Sequence, residues 1–163
     1  MPTKRPLHWA RWLWISAIVI VADQAAKAAI LATIREGDGV AVTPFFSLVL
    51  TFNTGAAFSF LSAASGWQRW FFVAIAVAAA AVILVLLKRG GSAWYCTGLA
   101  LILGGALGNL YDRLAIGRVV DFLLFHYAGW AYPAFNVADS AITVGAGLLI
   151  FDSFRPRLKE PLK

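Results

Sequence analysis

The sequence predicts an all-α membrane bundle of four transmembrane helices with a small extracytoplasmic β element. Three observations predict it. Hydrophobic residues make up 61% of the 163 and charged residues 13%, against about 45–50% and about 25% in soluble domains. Four stretches come near the ~20 apolar residues that a helix needs to cross a ~30 Å hydrocarbon core. Lys and Arg gather in short clusters between those stretches, and that bias sets topology. A soluble chain of this size has too little polar surface to cover so much apolar material. The whole chain, 1–163, therefore reads as one integral-membrane domain.

The first span covers about 12–33. Lys4, Arg5 and Arg11 precede it, as in a secretory signal peptide. Its apolar region is too long for one, however, and it contains Asp23 and Lys27. It reads as a retained helix. The second span, about 70–87, and the third, about 93–111, carry no charge. The fourth covers about 137–154. Lys88 and Arg89 separate the second and third, while Arg155, Arg157, Lys159 and Lys163 follow the fourth. Arg35, Arg69, Arg113 and Arg118 lie on the other side. The positive-inside rule then places both termini and the Lys88–Arg89 turn in the cytoplasm. Segments of about 34–69 and 112–136 face outward. Trp67, Trp70, Trp94, Tyr95, Tyr111 and Tyr132 fall near the boundaries, as an aromatic belt does. The net charge of +6 reports topology, because no single basic face suited to nucleic acid emerges.

The outer segments hold more than linkers. Val40–Phe60 is rich in β-branched and aromatic residues around Pro44, Asn53 and Gly55, so short strands are expected there. Val119–Phe125 is a second strand candidate. Gly37, Gly39 and Gly55 give this outer element room to move. Cys96 is the one cysteine. It has no partner for an internal disulfide and reads as a small hydrophobe in a packed helix.

Ionisable groups in a membrane are costly and usually functional, so they locate the chemistry. Asp23 and Lys27 are four apart and share a helix face. They read either as a self-neutralising pair pointing into the bundle or as an aspartate beside a snorkelling lysine. Asn109, Asp112 and Arg113 share a face at the outer end of the third span. Arg113 could equally anchor at the headgroups. Gly104 and Gly108 form a small-xxx-small pattern that admits another helix. Asp121 lies in the second strand candidate. Asn136 and Asp139 open the fourth span, where they suit a helix cap. The short segment 122–138 must return the chain to the membrane, so Asp121 and Asp139 are expected at one depth, near Asn109 and Arg113.

Two close carboxylates in a partly dry site cannot both ionise easily. One acts as general base on water while the protonated partner polarises a carbonyl. Other hydrolytic devices fail on inventory. His8 and His126 fall on opposite sides of the membrane and cannot share a metal. There is no zincin spacing and no nucleophile elbow, and Ser140 has no evident His or Lys base.

At these residues the sequence resembles the lipoprotein signal peptidases (signal peptidase II) of bacteria. The matching pieces are Asp-Gln-Ala-Ala-Lys at 23–27, Phe-Asn-Thr-Gly-Ala-Ala-Phe at 52–58 and Gly-Gly-Ala-Leu-Gly-Asn-Leu-Tyr-Asp-Arg at 104–113. Val-Val-Asp-Phe at 119–122 and Phe-Asn-Val-Ala-Asp-Ser at 135–140 complete the set. They span nearly the whole chain in family order. The stretch His126–Tyr132 matches none of them. The resemblance implies an aspartic endopeptidase of the inner membrane with Asp121 and Asp139 as its catalytic dyad. It implies supporting or substrate-binding roles for Asn53, Asn109, Arg113 and Asn136, and structural polar roles for Asp23, Lys27 and Asp112. It implies no metal or organic cofactor. The substrate it implies is the signal peptide of a diacylglyceryl-modified prolipoprotein, cut just before the lipidated cysteine, with membrane lipids and no nucleic acid as further partners. A diacylglyceryl chain stays in lipid, so cleavage near the outer headgroup plane suits the expected depth of the aspartates.

Two rival readings remain. A proton-coupled transporter would relay protons through Asp23, Asp112 and Asp139, but no inverted repeat is visible. A non-catalytic lipid-binding or assembly subunit accounts for the aromatics and glycines but has no need of two outer aspartates.

Overall fold

A computed structural model describes residues 8–55 and 66–155. The Ala56–Phe58 end of the second motif lies outside the described residues, as do the 56–60 end of the first strand region and Lys4, Arg5, Arg157, Lys159 and Lys163.

A 3₁₀ turn, His8–Trp12, leads into α1, Leu13–Thr33. The strands β1, Gly39–Thr43, and β2, Phe46–Asn53, follow. Helices α2, Trp67–Arg89, and α3, Ala93–Ile116, come next. Strands β3, Val119–Tyr127, and β4, Trp130–Ala131, precede α4, Val137–Ser153. The region His8–Thr33 and the helices α2 and α3 are each long and apolar enough to cross a membrane. The 17 residues of α4 extend about 25 Å at ~1.5 Å per residue, short of a full hydrocarbon core.

Among the described residues a cluster of charged and amide side chains is buried while many large apolar ones are exposed. Asp23, Lys27, Asn109, Asp112, Asp121 and Asn136 are buried, while Trp14, Ile18, Trp70, Ile75, Val82 and Ile150 are exposed. Water would penalise that arrangement twice, once for the exposed apolar surface and once for the buried charge. Lipid penalises neither the apolar exterior nor a polar interior that is fully paired.

Helix α3 is central and packs against α1, α2 and α4. Its glycines make this possible. A Cβ at Gly104 would lie 2.9 Å from the Ser16 carbonyl of α1, and one at Gly105 would lie 2.3 Å from the Ala138 carbonyl of α4. Gly98 and Gly145 approach each other in the same way. Such close approach raises van der Waals contact where lipid removes the hydrophobic drive between helices. Ser16 Oγ adds a 2.7 Å hydrogen bond to the Ala100 carbonyl. Cys96 is buried with Leu87 and Leu99 in the hydrophobic core at the other end of the bundle.

The sheet runs β1-β2-β3-β4, with every neighbouring pair antiparallel. Helices α2 and α3 are inserted between β2 and β3, so the sheet ties the two outer segments together. Val120 and Phe122 of β3 pack with Ile30 of α1 and Leu50 of β2. Side chains alternate along a strand, so Asp121 projects from the opposite face. Sequence reasoning missed β4. Ala128 (φ 48°) and Gly129 (φ 82°) are both left-handed, as a two-residue hairpin turn requires. An alanine in the first of those positions disguises the turn.

Candidate active site

Two pairings bring the aspartates into one place. Thr51 of β2 lies opposite Asp121 in β3. Phe135 bridges Leu123, accepting from its N–H at 2.8 Å and donating back at 3.1 Å. The chain entering α4 is therefore clamped to β3 two residues beyond Asp121, and Asn136 and Asp139 land beside it.

Asn136 opens α4 with a reciprocal cap. Its Oδ1 accepts from Asp139 N at 2.9 Å, and Asp139 Oδ2 accepts from Asn136 N at 3.3 Å. The capping expectation and the pairing of carboxylates are thus compatible, because the cap fixes where the Asp139 carboxylate sits. Asn136 Nδ2 donates to Asp121 Oδ1 at 2.7 Å and to Asn109 Oδ1 at 3.1 Å. Asn109 Nδ2 donates to Asp139 Oδ1 at 2.7 Å. Two amides thus link the carboxylates, and each oxygen of Asp139 has a donor.

Asp121 is buried. Burial pushes its pKa up to about 7, and the nearby Asp139 charge adds to the rise, while hydrogen bonds from Asn53 and Asn136 and the Lys27 charge oppose it. Asn53 ends β2, and its Oδ1 accepts from Gly55 N at 2.8 Å. That turn leaves its amide nitrogen for Asp121. Gly55, at φ 99°, adopts a conformation that side chains disfavour.

Beneath the pair lies an ionic layer. Lys27 Nζ sits 2.7 Å from Asp23 Oδ2 and 2.7 Å from Asp112 Oδ2, and donates to Asn109 Oδ1 at 3.1 Å. Of the two readings of Asp23 and Lys27, the inward pair is the one found. Asp23 Oδ1 accepts from Ala138 N at 2.9 Å, at the start of α4. Asp112 Oδ2 accepts from Val120 N at 3.2 Å, next to Asp121. The layer thus holds both catalytic candidates through their neighbours. Gln24, to which the sequence reading gave no role, donates to Asp112 Oδ1 at 2.9 Å and to the Gly108 carbonyl at 3.3 Å. Its place beside Asp23 and three before Lys27 was the available signal.

Arg113 stands to the side. Its Nη1 donates to the Asn109 carbonyl at 3.2 Å, and its guanidinium lies 5.0 Å from the Phe72 ring of α2. Ser140 Oγ donates to the Asn136 carbonyl. His126 Nε2 is 2.9 Å from Ser47 Oγ in the sheet, whereas His8 lies in the 3₁₀ turn before α1. A cleft of about 330 Å³ opens beside Asp139, lined by Tyr132, Phe135, Ser140, Thr143 and Val144. The arrangement gives a dry carboxylate that binds a proton near neutrality beside a second one held by donors, with a partly apolar cleft at hand.

Comparison with known proteins agrees with this geometry. Residues 15–155 match the family model described as signal peptidase (SPase) II. The lipoprotein signal peptidase of Burkholderia multivorans is 60% identical over 147 residues, covering 90% of this chain and 89% of that protein. That of Paraburkholderia phymatum is 56% identical with the same coverage. Two solved structures, described as a bacterial membrane enzyme studied by the in meso method at 2.3 and 1.9 Å, superpose with TM-scores of 0.79 and 0.81. They are 29% and 30% identical, and the matches cover 94% and 91% of this chain and 95% of each of those chains. A family match over nearly the whole length, close relatives and a shared fold agree: this chain belongs to the signal peptidase II family.

Proposed function

We propose that Asp121 and Asp139 form the catalytic dyad with which this signal peptidase removes signal peptides from diacylglyceryl-modified prolipoproteins, cutting just before the lipidated cysteine. The observation that carries the reading is the two-amide link, Asn136 to Asp121 and Asn109 to Asp139. Burial raises the Asp139 carboxyl too, against hydrogen bonds from Asn109 and the Asn136 backbone and the Lys27 charge, and those two donors at a helix N-terminus make it the partner that ionises first. Asp121 is the drier partner and holds the shared proton. Asp139 takes a proton from water as the oxygen attacks the scissile carbonyl carbon, while Asp121 donates a hydrogen bond to the carbonyl oxygen. The C–N bond then breaks, and the proton on Asp139 passes to the leaving amine. Asn53, Asn109, Asn136 and Arg113 support the pair, and Asp23, Lys27 and Asp112 hold the scaffold. No metal or organic cofactor takes part.

In this reading α4 is a fourth span that begins at the outer headgroup level and needs less than a full hydrocarbon thickness. Both termini are cytoplasmic and the sheet lies on the outer face of the bacterial inner membrane. The exposed Trp67, Trp70 and Tyr132 then fall at an interface where amphipathic rings settle. Membrane lipids are the enzyme's surroundings, and nucleic acid is not a partner. The comparisons give the transporter alternative no support. The test incubates purified enzyme with a prolipoprotein, with and without its diacylglyceryl group, in the presence of chelator. Cleavage confined to the lipidated substrate and indifferent to chelator is expected. Equal cleavage of the unlipidated substrate would contradict the substrate assignment.

A further inference from the structure

At the end of the bundle away from the aspartates, a second cavity has no role in the proposed reaction. The 3₁₀ turn before α1 meets the α2–α3 turn beside an open cleft of about 670 Å³, within the roughly 300–1,000 Å³ of small-ligand sites. Its lining includes Trp9, Arg11, Trp12, Lys88, Arg89 and Cys96. Along α3, Cys96 and Asn109 are 13 residues apart, or about 20 Å, so the cavity and the dyad are separate.

The cavity is basic and aromatic. Lys88 Nζ lies 5.3 Å from the Trp9 ring, and the Arg11 guanidinium 5.0 Å from the Trp12 ring. The charged heads of Arg11 and Lys88 thus lie over indole rings, whose faces attract cations. Among the described residues, no carboxylate forms an ion pair with Arg11, Lys88 or Arg89. Asp152 is close enough to act on Cys96, and it accepts from Ser92 Oγ. The floor is apolar, with Leu87 and Cys96 buried. Three cations with no carboxylate partner among the described residues, over an apolar floor where three membrane-type helices end, suit a phosphate whose acyl chains run down the bundle.

We propose that this cavity binds the headgroup of an anionic phospholipid, with Arg11, Lys88 and Arg89 on the phosphate and Trp9 and Trp12 against the glycerol and upper chain. The inference rests on the membrane reading and is independent of the dyad. Native mass spectrometry of the full-length protein, titrated with phosphatidylglycerol or phosphatidylcholine, tests it. The wild type should retain phosphatidylglycerol at least tenfold more tightly. Lys88→Gln with Arg89→Gln should weaken that binding about 25-fold, at about fivefold per cation. Lys88→Arg with Arg89→Lys should keep it within twofold. Arg35→Gln, which removes a single positive charge from an exposed residue elsewhere, should leave it unchanged rather than weaken it about fivefold. Equal retention of the two lipids, or that about fivefold loss in Arg35→Gln, would overturn the proposal. So would displacement by millimolar glycerol phosphate, which would mark a soluble-phosphate site. If the double Gln variant fails to fold, the lipid preference of the wild type and the Arg/Lys exchange still decide the matter.

Discussion

Asp121 carries the clearest conflict between stability and chemistry. Its pKa stands near 7 in the folded chain, against about 3.9 unfolded, so the native state binds the extra proton between those values. The contribution of Asp121 to stability is then fully present below about pH 4 and is lost as pH rises through about 7. A shift of about three units corresponds to roughly 4 kcal/mol. Asp121→Asn removes the ionisation and keeps an oxygen to accept from Asn136. It should therefore melt at or above the wild-type temperature at pH 8, with the gap closing toward pH 5, by thermal unfolding in detergent. A variant less stable than wild type at pH 8 would contradict the burial argument. In the proposed mechanism the same proton governs the rate. Activity should decline on the alkaline side at a pH at or above 7, as the pair loses its shared proton. A rate still rising from pH 8 to 10 would count against that sharing.

The individual site residues were largely legible because each is an ionisable or amide group in an apolar chain. Their partners were less so. Nothing in the sequence places Asn109 between Lys27 and Asp139, since that depends on how α1, α3 and α4 pack. Gln24 escaped notice because neutral amides do not stand out as charges do.

Helix contacts are decided by the ionic layer and the glycines. Lys27→Met leaves two carboxylates buried without their cation, a loss of about 3–5 kcal/mol. At about 2–4 °C per kcal/mol for a chain of this size, melting should fall by roughly 10 °C. Adding Asp23→Asn and Asp112→Asn to Lys27→Met should recover most of it. Failure of the triple variant to recover would mean that Lys27 acts by shape and not charge. Gly105→Ala forces a methyl against the Ala138 carbonyl, one residue before Asp139. It should lower both melting temperature and turnover, whereas Gly147→Ala, which meets nothing within 4 Å, should change neither. Equal behaviour of the two variants would contradict the packing described.

Length and hydropathy located all four helices in the sequence, with α2 starting three residues earlier and α3 ending five residues later than the apolar runs suggest. Both extensions are amphipathic turns at the boundary, where polar residues are tolerated. The strand β4 was invisible because two residues are too few to carry a period.

At the scale of the whole molecule, a buried charge cluster combined with an apolar exterior leads from sequence to function. A soluble enzyme has no need to bury this many charges, whereas a protease acting at the headgroup plane needs a dry carboxylate there. The orientation proposed from the basic clusters is directly testable. In intact spheroplasts, an impermeant maleimide should label Val42→Cys and reach Arg89→Cys only after permeabilisation. The native Cys96 is buried and should contribute little. The reverse pattern would invert the topology and separate the dyad from the outer face.

The most direct measurement is single-turnover cleavage of a diacylglyceryl prolipoprotein by purified wild type, Asp121→Asn and Asp139→Asn, each checked for folding by its melting curve. Loss of one acid–base partner should slow the chemical step by about 10²–10⁴-fold in each variant while both remain folded and still bind substrate. Wild-type rates in either folded variant would contradict the dyad.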